Sequence, residues 1–352
     1  MRILQLIDTL NPGGAERMAV NYANALFTAS VESHICVTRE EGVFKNKLRQ
    51  GVHYHFLKKQ NTLDLSALIK LRKIINKHKI DIIHAHGSSW FFAVLCKIAG
   101  KDLKMIWHDH YGQSDFLKDR KSQPLKYFSK NFDAIISVNK KLRNWSLKHL
   151  NCEKVILLNN FIADQGYTSN GEIKLKGEAE YNLICVANLR PQKDHLSLLK
   201  IWEEVSKKYD IALHLVGKSF DNPYSLNILK VIENSNNIYY YGEQENILSI
   251  LQQADMGILS SQSEGLPLVL LEYGIASLPV VCTDVGQCKE VLGENAILVE
   301  PGKPELFAEA VNMYLNNEAL RIQNGKELKL RIEELYSEKS VIPTYLEFCR
   351  EL

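Results

Sequence analysis

Short segments that are apolar on both faces alternate with amphipathic segments along nearly the whole chain, and this alternation restricts the fold more than any other feature. A strand greasy on both sides must be covered on both sides, which a parallel sheet wrapped by crossover helices achieves. In the first half, "RILQLID", "SHICVT", "DIIHAH", "LKMIWH", "DAIISVN" and "VILLNN" read as strands. Between them "AERMAVNYANALF", "LSALIKLRKIINKHK" and "WFFAVLCKIAG" read as helices, the second with Leu68, Leu71, Ile74 and Ile75 inward and lysines outward.

The pattern breaks over residues 163–181, which are polar, contain glycine and lack hydrophobic periodicity, as a linker should. It then restarts. "YNLICVAN", "IALHLVG", "NIYYYG", "DMGILS", "LPVVCTD" and "AILVE" predict strands; "HLSLLKIWEEVSKKY", "ILSILQQA", a segment from Pro267 and "PELFAEAVNMYL" predict helices. With 352 residues the chain suits two domains. Both are expected to be doubly wound α/β units, residues 1–163 and 164–335, facing each other across a cleft. The closing "SVIPTYLEFCREL" within 336–352 reads as a helix that can return to the first domain.

Seven scattered cysteines without a C-x-x-C pair indicate neither a disulfide framework nor a zinc site, and fit a reducing cytoplasm. No run is long and apolar enough to span a membrane, and the first residues do not resemble a signal peptide. The net charge of +2 hides an asymmetry: residues 1–165 hold 26 Lys+Arg against 14 Asp+Glu, the remainder 17 against 27. Either the halves attract each other or the basic half faces an anionic surface or ligand.

Ligands of open α/β sheets sit beyond the carboxyl ends of strands. There "SEGLPLVLLEYG", residues 263–274, sets Glu264 before a helix and Glu272 about a turn and a half inside it, amid leucines. An ionised carboxylate kept from water is costly unless paired. Pro267 suits the first helical position, the helix begins near Leu266, and the amides around Gly265 to Val269 are left without intrahelical acceptors, free for an anion. A diphosphate on these amides, sugar hydroxyls on Glu264 and a ribose diol on Glu272 would satisfy every group. The plainer reading has Glu264 in a solvated turn and Glu272 paired with a basic residue.

"ANLRPQKDH" carries Asn188, Arg190 and Lys193 to the same edge, where a lysine can neutralise a leaving phosphate or simply be solvated. "NPGGAER" joins the first strand to the first helix, and Gly13 and Gly14 allow a tight turn against a ligand. It is not the dinucleotide fingerprint. Four histidines follow strands, His84 and His86 in "IIHAHG", His108 and His110 in "WHDHYG". The H-x-H spacing is read as pointing each pair to opposite faces, and no carboxylate or thiolate completes a shell, so no metal is expected. One histidine at a strand end is better read as a hydrogen-bonding or proton-handling group at a sugar.

Taken together, "NPGGAER", "DIIHAHG", "ANLRPQKDH", "ADMGILSSQSEGLPLVLLEYG" and "LPVVCTDVGQCKEVL" resemble the retaining, nucleotide-sugar-dependent glycosyltransferases of GT-B fold, group 1 or family four, in order and over nearly the whole chain. The Glu-x7-Glu segment is the most specific of these motifs. The resemblance implies donor binding by the C-terminal domain, with a UDP-sugar favoured. Glu272 would hold the ribose, Glu264 the sugar hydroxyls, and the amides from Gly265 through Leu266 and Pro267 to Leu268 the diphosphate. Lys193 would stabilise the leaving group, Gly14 would lie beside the phosphate and the acceptor, and His108 or His110 would contact the transferred sugar. No cofactor or divalent metal is implied.

The family's arginine five residues before Lys193 is Asn188 here, and Arg190 could supply the guanidinium from a shifted position. The acceptor, a glycan or lipid-pyrophosphate-linked sugar, would lie on the basic N-terminal domain. Lys118, Lys121, Lys126 and Lys130, interleaved with Phe116, Leu117, Leu125, Tyr127 and Phe128, form the candidate contact with an anionic membrane surface. The expected function is therefore cytoplasmic or peripheral-membrane glycosyl transfer in building a surface polysaccharide, with no nucleic-acid partner. A sugar-nucleotide epimerase and a non-catalytic nucleotide-sugar-binding module are the alternatives.

Overall fold

In the computed structural model all of the chain except residues 99, 101–102, 115, 164–172 and 245 is described. It divides into two compact units, Met1–Ala163 with Ser337–Leu352, and Asp164–Tyr336. Part of the stretch read as a linker, residues 164–172, lies outside the described residues.

The first unit is built on seven strands: β1 (Arg2–Thr9), β2 (Glu32–Glu40), β3 (His53–Phe56), β4 (Ile82–His86), β5 (Lys104–Asp109), β6 (Ala134–Ser137) and β7 (Val155–Leu157). They pair in parallel in the order β3-β2-β1-β4-β5-β6-β7. Its helices are α1 (Gly14–Thr28), α2 (Leu65–His78), α3 (Trp90–Ile98), α4 (Gln123–Phe128) and α5 (Lys140–His149). β1 shows why its residues must be apolar on both sides. Leu4 and Leu6 join the core under α2 and α3, whereas Ile7 packs with Ala19, Val20 and Ala23 of α1.

The second unit holds β8 (Tyr181–Val186), β9 (Ile211–Val216), β10 (Ile238–Tyr240), β11 (Met256–Leu259), β12 (Val280–Thr283) and β13 (Ile297–Val299), parallel in the order β10-β9-β8-β11-β12-β13. Around them lie α6 (His195–Ser206), α7 (Pro223–Glu233), α8 (Ile247–Leu251), α9 (Leu268–Ile275), α10 (Cys288–Leu292), α11 (Pro304–Leu315) and α12 (Glu318–Leu335). The last helix, α13 (Glu338–Arg350), belongs to the first unit. Ser337 bridges Ile162 in parallel, and the Tyr345 hydroxyl lies 3.0 Å from Nδ1 of His84. In both sheets strand order reverses beside the first strand, between β1 and β4 and between β8 and β11. Such reversals open the crevice in which doubly wound sheets hold ligands. Among the described residues no helix is long and apolar enough to cross a membrane.

Candidate functional site

The loops leaving β8 and β11 meet at the reversal point of the second sheet. Lys193 Nζ lies 2.5 Å from Oε1 of Glu264, and the Ser261 hydroxyl donates to the same oxygen at 2.7 Å. The lysine side chain is 19 % exposed and the glutamate 6 %. A near-buried carboxylate thus has a cation beside it, and the cation retains a face toward solvent. The two loops are laced together on either side. Gln262 N–H donates to the Gln192 carbonyl at 2.8 Å, the Gln262 amide to Asp194 Oδ2 at 3.0 Å, and the Ser260 hydroxyl to the Lys193 carbonyl at 3.1 Å. Asp194, in the left-handed region at φ 49°, also caps α6 by accepting from Ser197 N–H. A third segment closes on Glu264: Gly286 has φ +57°, and a Cβ there would come 2.2 Å from the Glu264 carbonyl oxygen. Only glycine fits that approach.

Helix α9 starts just after this pair. It begins at Leu268, not near Leu266, because Pro267 has ψ 110° and serves as the N-cap rather than the first helical residue. Gly265, Leu266 and Pro267 form the buried approach to it, and the N-cap Pro267 makes no side-chain capping bond. The orphan donors a helix leaves at its start are therefore those of Leu268 and Val269, while Leu270 N–H turns back to the Pro267 carbonyl at 3.1 Å. Glu272 also departs from expectation. It is half-exposed, on a stripe with Leu268 and Ile275, while Val269, Leu270, Leu271, Tyr273 and Gly274 face the core. The carboxylate withdrawn from water is Glu264, at 4 % exposure.

Tyr273, which sequence reasoning passed over, holds α9 in place. Tyr273 Oη accepts from Val186 N–H at 3.0 Å and lies 3.1 Å from the carbonyls of Ile184 and Ile258, bolting the helix beneath β8 and β11. Of the other predicted residues, Asn188 Oδ1 accepts from Lys218 N–H at 2.9 Å, and the Arg190 guanidinium lies 4.7 Å from the Phe220 ring. The structure thus brings together Lys193, Glu264 and the start of α9, with Asn188 and Arg190 on neighbouring contacts.

In the first unit the histidines correct the reading of H-x-H. Residues i and i+2 of a strand share a face: His84, His86 and His108 gather beside Tyr22, and His110 stacks on His86 and His108. Ring nitrogens pair His84 with His108 at 3.1 Å and His86 with His110 at 3.0 Å; His86 also meets Gln5 Oε1 at 2.8 Å. One nitrogen each of His84, His86 and His108 lies within 4.8 Å of the others, yet both nitrogens of His84 and of His86 already have partners. His108 is fully buried; His110, past the end of β5, keeps some surface. Burial holds His84, His86 and His108 well below the usual imidazole range and pushes His110 down to about 3. A neutral His110 can exchange hydrogen bonds with a hydroxyl but carries no charge at neutral pH.

The glycines of "NPGGAER" do not make a turn that needs them. Neither has positive φ, and Gly13 is the extended N-cap of α1. A Cβ at Gly13 would strike the Glu16 carboxylate at 2.2 Å, whereas a Cβ at Gly14 would meet nothing within 4 Å. Space at Gly14 is thus left open rather than filled by the fold.

Residues 12–165 match the model of Glycosyltransferase Family 4, and residues 180–317 that of Glycosyl transferases group 1. The chain belongs to this glycosyltransferase family. N-acetyl-alpha-D-glucosaminyl L-malate synthase of Bacillus anthracis is 25% identical over 298 residues, covering 80% of this chain and 77% of that protein. The O-antigen biosynthesis glycosyltransferase WbnH of Escherichia coli is 28% identical over 279 residues, 75% and 76% of the two chains. In fold, the chain is similar to Anabaena Alr3699/HepE, solved in complex with UDP, with a TM-score of 0.80 at 16% identity and full coverage of both chains. The two units are thus the paired Rossmann-like domains of a GT-B glycosyltransferase.

The neutral histidines give this glycosyltransferase a definite acid response. Their folded values lie below the unfolded imidazole value of about 6.5, so unfolding takes up protons once the pH drops under it. Their stabilising contribution is complete above about pH 6.5 and is lost on acidification, each ring costing about 1.4 kcal/mol per pH unit until its folded value is reached. Urea midpoints should therefore fall steeply between pH 7 and pH 5. A flat profile there would contradict the burial of these rings in the neutral form.

Proposed function

We propose that this glycosyltransferase moves a sugar from a nucleotide-sugar donor, a UDP-sugar being favoured, to a glycan or lipid-pyrophosphate-linked acceptor, with retention of configuration and without a divalent metal, in building a surface polysaccharide. The observation that carries the reading is the Lys193–Glu264 pair at the strand-order reversal, directly before the start of α9, whose N-cap Pro267 has no side-chain donor or acceptor to offer. The donor diphosphate is assigned to the amides of Leu268 and Val269, approached over Gly265, Leu266 and Pro267. Lys193 is its counter-charge as the bond to the sugar breaks, the work a metal does elsewhere. Glu264 accepts from sugar hydroxyls and Glu272, on the open stripe of α9, from the ribose diol. On the first unit, neutral His110 is the group suited to a sugar hydroxyl, and the space beside Gly14 leaves its amide approachable.

A thermal-shift screen of UDP-, GDP- and ADP-sugars tests this, because a ligand that binds only the folded chain raises its melting temperature. A UDP-sugar is expected to give the largest increment, and EDTA to leave the increment unchanged. No increment with any nucleotide sugar would refute the assignment; NMR of the transferred anomeric proton would test retention.

Membrane recruitment of the same enzyme is supported by an exposed surface on the first unit. Lys118, Lys121, Lys126 and Lys130 are exposed, as are Phe116 and Tyr127, whereas Leu125 is buried and Leu117 and Phe128 pack on the core. Each basic residue near an anionic leaflet contributes about 1 kcal/mol. Flotation with anionic vesicles should exceed that with neutral ones and fall at least about tenfold when the four lysines become glutamates. Equal flotation with both vesicle types would remove the membrane from the account.

A further inference from the structure

Away from the candidate site, four of the eleven histidines cluster where β2, β3 and the end of α2 meet: His34, His53, His55 and His78. Parallel pairing sets His34 opposite His53 and Cys36 opposite His55. Since i and i+2 share a face, Glu32 and His34 of one strand and His53 and His55 of the next project to one side, where His78 meets them. The His34 ring centroid is 4.6 Å from that of His53, 5.5 Å from that of His55 and 4.9 Å from that of His78. One ligand atom from each of Glu32, His34 and His53 lies within 4.8 Å of the other two.

Both ring nitrogens of His34 have neighbours able to support a ligating role. Its Nε2 faces Glu32 Oε1 at 3.2 Å, and its Nδ1 faces His55 Nε2, also at 3.2 Å. When Nδ1 donates to His55, the Nε2 lone pair is directed at the carboxylate side, the second-shell device that fixes a ligating histidine. Zinc-type ions bind imidazole nitrogen and carboxylate oxygen at about 2.0–2.2 Å, so two ligand atoms of a tetrahedral site stand about 3.3 Å apart. The His34–Glu32 pair already has that spacing. His34 is fixed by burial, while Glu32 and His53 are exposed and free to adjust their rotamers.

We propose that Glu32, His34 and His53 bind one borderline divalent cation, Zn²⁺ or a first-row neighbour, with His78 or water in the fourth position. Mixed nitrogen and oxygen donors of this kind suit such ions and not Mg²⁺. The site ties the four-residue edge strand β3 to β2. An edge strand is paired on one side only, so a metal clip there is a structural device. It sits at the amino ends of the strands, whereas His110 follows the carboxyl end of β5, so it is separate from sugar transfer and compatible with metal-independent chemistry.

Untagged full-length protein, stripped with chelator and exchanged into clean buffer, is titrated calorimetrically with Zn²⁺ and with Mg²⁺, and Co²⁺ is used to read tetrahedral coordination by its visible absorption. One Zn²⁺ per chain is expected, with no Mg²⁺ uptake, and the melting temperature should rise with Zn²⁺. Both His53→Ala and Glu32→Gln replace exposed side chains, and circular dichroism checks that they fold. Each should weaken Zn²⁺ at least about tenfold and abolish the Zn²⁺-dependent rise in melting temperature, while His149→Ala leaves both unchanged. Absence of Zn²⁺ binding by the wild type, or binding that both variants retain in full, overturns the proposal; the latter includes uptake by the buried His84, His86 and His108 group.

Discussion

Replacing Lys193 by alanine is expected to lower turnover at saturating donor about 10²-fold or more, the scale of losing one preorganised transition-state partner. The size follows from what surrounds the lysine. Asn188 stands where the family resemblance calls for an arginine, and its side-chain oxygen is occupied by the Lys218 amide. Arg190 lies over Phe220. Lys193 is then the cation beside Glu264 at the reversal of strand order, so under the proposed function the negative charge developing on a leaving diphosphate would fall to it. The substitution also removes the cation from beside a carboxylate of 6 % exposure, to which the Ser261 hydroxyl still donates. Breaking a buried pair from one side typically costs about 3–5 kcal/mol. A melting temperature measured alongside kcat separates the two effects, and donor affinity should fall less than turnover. Near-normal kcat in a folded variant would mean that another cation does this work.

Arg120→Met is expected to destabilise the first unit by about 3–5 kcal/mol, the cost of leaving a buried charge unpaired. Arg120 grips Asp109 with two bonds, 2.7 and 2.9 Å, and the two side chains are only 8 % and 2 % exposed. Its guanidinium lies 4.3 Å from the Tyr111 ring and 4.2 Å from the Trp145 ring. Lysine cannot reproduce that fork or the stacking, so Arg120→Lys should recover little. Asp109 lies between His108 and His110 in the chain, and loss of its partner should also disturb the exit of β5 where His110 stands. Adding Asp109→Asn to Arg120→Met should restore much of the stability, since neither buried charge then remains. Urea denaturation checks both; a loss under about 1 kcal/mol for Arg120→Met would show the pair to be effectively solvated.

How far the fold could be read from the chain depended on burial. Strands such as β1 and β9, apolar on both faces, announce a covered parallel sheet, and their order of appearance is that of two doubly wound units. β3 was missed because "HYHF" sits at the sheet edge, half-buried, and carries no apolar run. Helix α12 was missed for a related reason. Its buried residues Asn324, Gly325, Leu328 and Ile332 form a narrow stripe on an otherwise charged surface, too thin to register as periodicity. Helix α5, buried mainly through Leu142, Trp145 and Ser146, is similar.

The candidate site was legible in its members and less so in their environments. Sequence reasoning chose Glu272 as the carboxylate kept from water because its neighbours in the chain are leucines. On a helix those neighbours point elsewhere, and the open stripe through Leu268, Glu272 and Ile275 follows from helical period rather than from local composition. Glu264, in a polar-looking "SSQSEG", is the buried one because loops from β8 and β12 close over it. Contacts between residues 71 apart, as in Lys193–Glu264, leave no trace in either segment alone. The histidines failed in the opposite way: their spacing did carry the information, since i and i+2 share a strand face, and the error lay in the geometry assigned to it.

The start of α9, with Lys193, Glu264 and Glu272, is proposed to hold a nucleotide sugar. The most direct test of this assignment is a crystal structure with the nucleotide sugar that raises the melting temperature most. Density for the diphosphate is expected against the Leu268 and Val269 amides within reach of Lys193, with the ribose hydroxyls on Glu272. A donor bound elsewhere, with Lys193 and Glu264 still closed on each other and the helix start solvated, would contradict it.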